Sequence, residues 1–302
     1  MRLAVAATPD VAIPTLDWLR HSDHELVCVI TQPDRPSGRG QKQGESSVSL
    51  WALANGIEVF KPTDPLELTS IVESLDVVIT IGYGVILPEE ILNLPRYGFL
   101  NLHFSLLPSY RGAAPVQRAL ENGELVTGVT VFKLDKGLDT GPIFVQEEIE
   151  VDASWRSVEL LKELSELGVQ SIAKALHLIN EGVDPKAQEG KISIAPKISK
   201  LEAKIDFELS GKIIVQKIKA FTSEPGAWTI FNQEPFKITR AQESFGFQGN
   251  PGEILVVEQS VHVCCGGSSS IELLEVTPAG KREMKAIDWS RGARLSKGNS
   301  FG

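Results

Sequence analysis

The sequence predicts an α/β chain: a doubly wound, mainly parallel sheet followed by a small β-barrel domain. Three observations predict it. Short apolar runs such as Leu3–Ala7 read as buried strands. They alternate with segments of helical spacing, which implies βαβ units. Beyond residue 203 the pattern changes to short, evenly spaced strands, the signature of a small barrel. The expected organisation is an α/β domain over 1–181, a polar linker over 182–203 and the barrel over 204–302.

Taken in order, Leu3–Ala7 is the first strand, and Asp10 is placed to cap a helix carrying Ile13, Leu16, Trp18 and Leu19. Glu25–Thr31 is a second strand. Residues 32–47 (QPDRPSGRGQKQGESS) read as a long loop rich in Pro, Gly and charge, a length that points to function or disorder. A helix over Val48–Asn55 closes at Gly56. A strand at Ile57–Phe60, a helix near Pro65–Ser74 and a strand at Val77–Ile81 follow. Pro88 with Glu89 and Glu90 resembles a helix first turn. Phe99–Phe104 is a strand, Ala113–Asn122 a helix, and Gly128–Leu134 and Ile143–Ile149 are strands around the loop DKGLDTG at 135–141. Ser154–Asn180 has helical spacing. In the last third, a helix at Gly211–Phe221 precedes strands near Trp228–Phe231, Pro235–Thr239, Glu253–Val257, Val261–Cys265 and Ile271–Val276.

The totals exclude several classes. The 302 residues are 42% hydrophobic and 23% charged, so a normal core is expected. No apolar run approaches the ~18 residues of a membrane span. The start, MRLAVAATPD, reads as a strand rather than a signal peptide. Cys28, Cys264 and Cys265 form no CxxC and are odd in number, so neither a disulfide framework nor a zinc site is indicated. A cytoplasmic protein is expected, with no metal and no membrane partner. The net charge of −9 argues against a general nucleic-acid binder. That charge lies entirely in residues 1–200, while residues 281–302 hold six basic against two acidic side chains. This tail is either a phosphate contact or a solvated end.

No G-x-G-x-x-G follows the first strand, no G-x-x-x-x-G-K-[ST] occurs, and no G-x-S-x-G is present. Nicotinamide, ATP and serine-hydrolase chemistry are therefore disfavoured. What stands out is GFLNLHFSLLPSYRG at 98–112. Strand alternation sends Asn101, His103 and Ser105 to one face, at the carboxyl end where open α/β sheets bind ligands. A strand histidine is also what a core or rim position presents, but this one has polar neighbours two residues away on each side. Asp139, between two glycines, is the best carboxylate to set against the imidazole; it also fits a turn aspartate satisfied by backbone N–H groups. An amide, an imidazole and a carboxylate suit acyl transfer through a tetrahedral oxyanion, with no covalent intermediate.

These segments resemble the folate-dependent formyltransferases, in NLHFSLLP (101–108), RGAAPVQRAL (111–120) and TGVTVFKLDKGLDTG (127–141). TPD at 8–10, QPDRPSGRG at 32–40 and GYGVILP at 82–88 narrow the resemblance to the branch acting on initiator tRNA. It continues through PG (251–252) and LLEVTPAGKREM (273–284), and so covers nearly the whole chain. The resemblance implies a Rossmann-like catalytic domain and an OB-like C-terminal barrel that contacts tRNA. It implies transfer of a formyl group from 10-formyltetrahydrofolate to the amino group of methionyl-initiator tRNA, by a monomer. By position, Asn101, His103 and Asp139 match the catalytic trio. Ser105, Leu106, Leu107 and Pro108, with Gly84, Val85, Ile86 and Leu87, match the folate-binding segments, and Arg39 matches the basic residue approaching the tRNA acceptor end.

The chain departs from the pattern at Phe104, where a small residue is usual, at Ala7 in place of glycine, and at QKQGESS (41–47), which is less basic than usual. The nearest rival reading is a formyltransferase acting on an amino-sugar nucleotide. A rival of another class is a catalytically silent RNA-binding protein.

Overall fold

The computed structural model describes residues 1–37, 42–295 and 298–302. The chain forms two compact units. One comprises residues 1–115, 126–150 and 161–195; the other comprises 116–125, 151–160 and 196–302.

The elements through residue 180 are, in order, β1 (Arg2–Ala7), α1 (Ile13–Arg20), β2 (Glu25–Ile30), β3 (Arg35–Ser37), β4 (Lys42–Gly44), α2 (Ser47–Ala54), β5 (Glu58–Phe60), α3 (Thr69–Val72), β6 (Val77–Ile81), α4 (Glu89–Leu92), β7 (Phe99–His103), α5 (Pro115–Glu121), β8 (Val126–Lys133), β9 (Ile143–Glu150) and α6 (Ser157–Asn180). The first unit is built on a seven-stranded sheet in the order β5-β2-β1-β6-β7-β8-β9. The first five strands of that order are parallel, and β8 and β9 are antiparallel. Leu3 to Ala7 and Val77 to Ile81 are buried throughout, as strands covered on both faces must be. From β1 the chain steps outward through β2 to β5, then returns to lay β6 on the other side of β1. That reversal is a topological switch point, and ligands bind outside the carboxyl ends of the strands there.

Some helix starts carry side-chain caps and others do not. Ser46 accepts from the Ser49 amide at 3.0 Å and caps α2. Asp64 and Glu67 form a reciprocal capping box before α3. Asp10 does not cap α1: it opens a single tight turn, and Ala12 stands at the α1 N-cap with no side-chain bond. Residues 32–47 are not all loop, because β3 and β4 pair as an antiparallel hairpin apart from the main sheet. Arg39 lies outside the described residues.

The second unit contains α7 (Gly211–Phe221), β10 (Trp228–Phe231), β11 (Glu234–Ser244), β12 (Ile254–Val257), β13 (Ser260–Cys265), β14 (Ser269–Pro278), β15 (Met284–Lys285) and α8 (Ala286–Ala293). Its antiparallel sheet runs β10-β11-β14-β13-β12, with β15 added on β14. The outer strands of this order are linked by the last residues of the chain. Ile254 donates to the Asn299 carbonyl at 2.9 Å, Phe301 donates to Gly252 at 2.9 Å, and Gly302 donates to Ile230 at 3.1 Å.

The described residues of 281–295 and 298–302 are therefore not a free tail. Ala286 and Trp289 of α8 are buried, and so is Phe301. The Trp289 ring lies 4.6 Å from that of Phe236 and 5.1 Å from that of Phe231. Of the basic residues, Arg291 lies on α8 and Lys285 and Arg294 cap it, while the apolar stripe of this short helix belongs to the core. Trp289→Ala is expected to destabilise the protein by about 3–5 kcal/mol, the usual cost of emptying an aromatic site. A thermal unfolding midpoint equal to the parent's would contradict this packing. No described helix is long and apolar enough to cross a membrane. All three cysteines are free and buried.

Candidate active site

β7 ends at His103, whose side chain is 7% exposed. Its Nε2 lies 2.9 Å from the Tyr110 carbonyl oxygen. A carbonyl only accepts, so Nε2 carries the proton and the basic nitrogen of the neutral ring is Nδ1. Nδ1 faces Asp139 Oδ2 at 3.8 Å, too long for a direct hydrogen bond and short enough for strong charge coupling. The Tyr110 carbonyl, and not the Asp139 carboxylate, fixes the tautomer. Burial pushes the imidazole below its ordinary value of 6.5, and the Asp139 charge and the Tyr110 carbonyl pull it back only in part. The ring is therefore neutral near pH 7, the state a base requires. The Phe132 ring packs against it edge-on at 6.4 Å.

Asn101 is oriented from the neighbouring strand. Thr80, buried on β6, donates its hydroxyl to the Leu100 carbonyl at 3.0 Å and so turns its lone pairs outward. Asn101 Nδ2 donates to that oxygen at 2.8 Å. This settles which way the carboxamide points. Nδ2 has a second hydrogen with no protein partner among the described residues, which leaves it available to a developing oxyanion.

The Asp139 loop has an indirect route to the site. β8 is antiparallel to β7, with Leu100 opposite Lys133 and His103 opposite Thr130. The loop after Lys133 thus starts beside the amino half of β7 and must fold back to reach His103. Asp135 Oδ1 accepts from the Gly137 amide at 2.9 Å and from the Thr140 hydroxyl at 2.6 Å, which ties the loop to itself. A Cβ at Gly141 would collide with the Lys133 carbonyl. Asp139 sits at φ +50, and its Oδ2 accepts from the Gly112 amide at 2.7 Å. Gly112 itself has no room for a side chain, since a Cβ would lie 2.7 Å from the Ala195 carbonyl oxygen.

The remaining sequence-predicted residues flank this centre. Ser105 falls beyond the end of β7 and does not share its exposed face: it is fully buried, and its hydroxyl donates to the Ser109 carbonyl at 2.6 Å. The Ser105–Pro108 turn is held by Thr130, which donates to the Ser105 carbonyl and accepts from the Leu107 amide, and by Gln146, which donates to the Leu107 carbonyl. Leu107 and Pro108 are buried and Leu106 is half-buried. After β6, Gly84 is exposed at φ +71, Val85 is half-buried, Ile86 is 92% exposed and Leu87 is buried. The Gln32 side chain and the Thr8 hydroxyl both donate to the Tyr83 carbonyl, so the segments after β1, β2 and β6 are tied at one place.

Three contributors escaped the sequence reading: Thr80, Tyr110 and Gln188. Thr80 left a faint signal as the one polar residue in VVITI. Tyr110 acts through its backbone carbonyl, which no side-chain pattern reports. Gln188 sits in a polar connector and donates to the Asp139 and Gly141 carbonyls, each at 2.8 Å. Among the described residues no group of three His, Cys, Asp or Glu side chains could hold a metal ion.

Known proteins resemble this chain over both of its units. The formyl transferase family matches residues 1–176, and its C-terminal domain matches residues 197–294. A methionyl-tRNA formyltransferase of Salinispora tropica is 39% identical over 307 residues, covering 99% of each chain. A methionyl-tRNA formyltransferase structure from Clostridium thermocellum superimposes with a TM-score of 0.59 at 18% identity, covering 80% of this chain and 93% of that one. HypX of Aquifex aeolicus in complex with tetrahydrofolic acid superimposes with a TM-score of 0.69 at 17% identity. The match covers 96% of this chain and spans 46% of the longer HypX chain.

Proposed function

The chain belongs to the formyl transferase family, and from that premise we propose that it moves the formyl group of 10-formyltetrahydrofolate to the amino group of methionyl-initiator tRNA. The acceptor reading rests on likeness to a methionyl-tRNA formyltransferase along the full length of the chain, both units included. The observation that carries the chemistry is the His103 tautomer. Nδ1, the basic nitrogen, faces the Asp139 carboxylate, and Asn101 Nδ2 keeps one N–H to offer.

The neutral amine of the acceptor attacks the formyl carbon. As the tetrahedral centre forms, negative charge grows on the formyl oxygen, and Asn101 donates to it. Neutral His103 has no free N–H, because Nε2–H is committed to Tyr110. It first accepts the amine's proton at Nδ1, and the cation formed there lies beside Asp139. The same proton then passes to the departing folate nitrogen as the tetrahedral centre collapses. Every proton is thus accounted for, with no metal.

The folate lies, on this reading, against the segments after β6 and β7. The groups those segments offer are the exposed Gly84 backbone, Val85, Ile86 and Leu106, while the buried Ser105, Leu107, Pro108 and Leu87 shape them from behind. Ile86, an isoleucine 92% exposed beside the switch point, is the apolar surface most in need of cover. An aminoacyl-tRNA acceptor supports a cytoplasmic protein.

The test offers methionyl-initiator tRNA and an amino-sugar nucleotide as competing acceptors. Formyl transfer to the tRNA is expected to dominate. Arg39→Ala is expected to raise the KM for the tRNA and to flatten its dependence on salt, because removing one phosphate-binding cation reduces the slope by about one. Preferential formylation of the sugar nucleotide would overturn the acceptor assignment.

A further inference from the structure

We propose that Gln188 is a positioning residue of this site: its side-chain amide fastens the Asp139 loop to Arg111 and so sets where the Asp139 carboxylate stands beside His103. The inference rests on the reading of His103 and Asp139 as the proton-handling pair.

Four hydrogen bonds converge on this amide. Both Nε2 hydrogens are used, one on the Asp139 carbonyl and one on the Gly141 carbonyl, each at 2.8 Å. Oε1 accepts from Arg111 Nη2 at 2.6 Å and Nε at 3.2 Å. The amide therefore cannot be flipped without setting two N–H groups against the guanidinium and an acceptor against two acceptors.

What it ties together is the site itself. Residue 110 supplies the carbonyl that holds His103 Nε2, and residue 112 supplies the amide that holds Asp139 Oδ2. Arg111 lies between them. Its amide donates to the Ser193 carbonyl at 2.9 Å, and its carbonyl accepts from Ala195 at 2.7 Å. The Tyr110 amide donates to the Ser193 hydroxyl at 2.8 Å, and the Ala114 amide donates to the Ala195 carbonyl at 3.1 Å. Lys186 and Ile143 also exchange backbone bonds. Segment 186–195 thus runs as a strap along both supports of the catalytic pair, with Gln188 reaching across to the loop. Asp139 needs that hold. It sits in the left-handed region, disfavoured for a residue with a Cβ, on a loop that must fold back from the far end of β8.

The experiment measures kcat, KM for the folate and the acid limb of kcat/KM in Gln188→Ala, Gln188→Glu and Asp139→Asn, and in Gln188→Ala combined with Asp139→Asn. Unfolding midpoints serve as the folding control. Asp139 is the charged group facing His103; the ring's other neighbours are the Tyr110 carbonyl and the Phe132 ring. Gln188→Ala is expected to lower kcat by about 10–10²-fold, the scale of a displacement near 1 Å. The acid limb is expected to shift to lower pH, because the carboxylate that raises the His103 basicity is no longer held beside it. Gln188→Glu keeps the Arg111 contact and loses both donors, and should match the alanine variant. In the Asp139→Asn background, Gln188→Ala should change kcat by less than about twofold, since residues acting as one unit are not additive. An unmoved acid limb with parental kcat, or losses that multiply in the double variant, would overturn the positioning role alone. Full activity in Asp139→Asn would overturn the catalytic pair, and the positioning role with it.

Discussion

Asp139→Asn is expected to lower kcat by about 10³-fold with folding intact. The carboxylate stands 3.8 Å from His103 Nδ1, the nitrogen that becomes protonated when the amine attacks. Two unit charges about 4 Å apart interact by about 4 kcal/mol at an effective dielectric of about 20, which corresponds to roughly 10³ in rate. The ground state gains nothing comparable, because the ring is neutral there, so the loss falls on kcat rather than on folate binding. The loss is smaller than the roughly 10⁴ of a swap that imposes the wrong tautomer, since the Tyr110 carbonyl still holds Nε2–H. The asparagine oxygen can keep the bond from the Gly112 amide, so the loop should stay in place.

The pH profile gives a second check with a definite sign. With His103 as the proposed base, activity is expected to require its neutral form and to fall as pH drops through its pKa. Burial sets that pKa below 6.5, and the Asp139 charge raises it. Removing the charge moves the acid limb further down. A variant that turns over within tenfold of the parent, with its acid limb unmoved, would take Asp139 out of the proton step.

Asn101→Ala is expected to lower kcat by about 10²–10³-fold, the cost of one oxyanion donor. KM for the folate should change little, because the donor meets its full charge only in the transition state. Thr80→Val should reproduce part of this loss. It leaves the carboxamide in place and removes the oxygen that tells it which way to face. Both variants should keep the parental acid limb, which belongs to His103. An Asn101→Ala enzyme with parental kcat would assign the oxyanion to another donor.

Much of this molecule is legible in its sequence. Continuous apolar runs at 3–7 and 77–81 mark strands covered on both faces, and the strands that follow them alternate with helices as expected. Alternation along Phe99–His103 puts Asn101 and His103 on one face without any knowledge of their partners. The catalytic segments are likewise contiguous stretches, and each can be recognised by itself. The long strand β11, the hairpin within 32–47 and helix α8 are less legible. β11 and α8 are held by partners distant in sequence, such as β14 and the rings of Phe231 and Phe236, while the hairpin is local but built from three-residue strands too short to show a pattern.

Residue order alone sets which residue types stand at the carboxyl end of the central strands, and with them the class of chemistry proposed. Strand period and apolar patterning are local, and a local signal survives in one dimension. The arrangement of the proposed trio comes from long-range contacts made on folding. The proton of His103 is placed by a backbone carbonyl seven residues away, the face of Asn101 by a hydroxyl twenty-one residues away, and the Asp139 loop by an amide forty-nine residues away. Hydrogen bonds of this kind need donor and acceptor within about 3 Å, a relation that folding creates and that residue order does not encode locally.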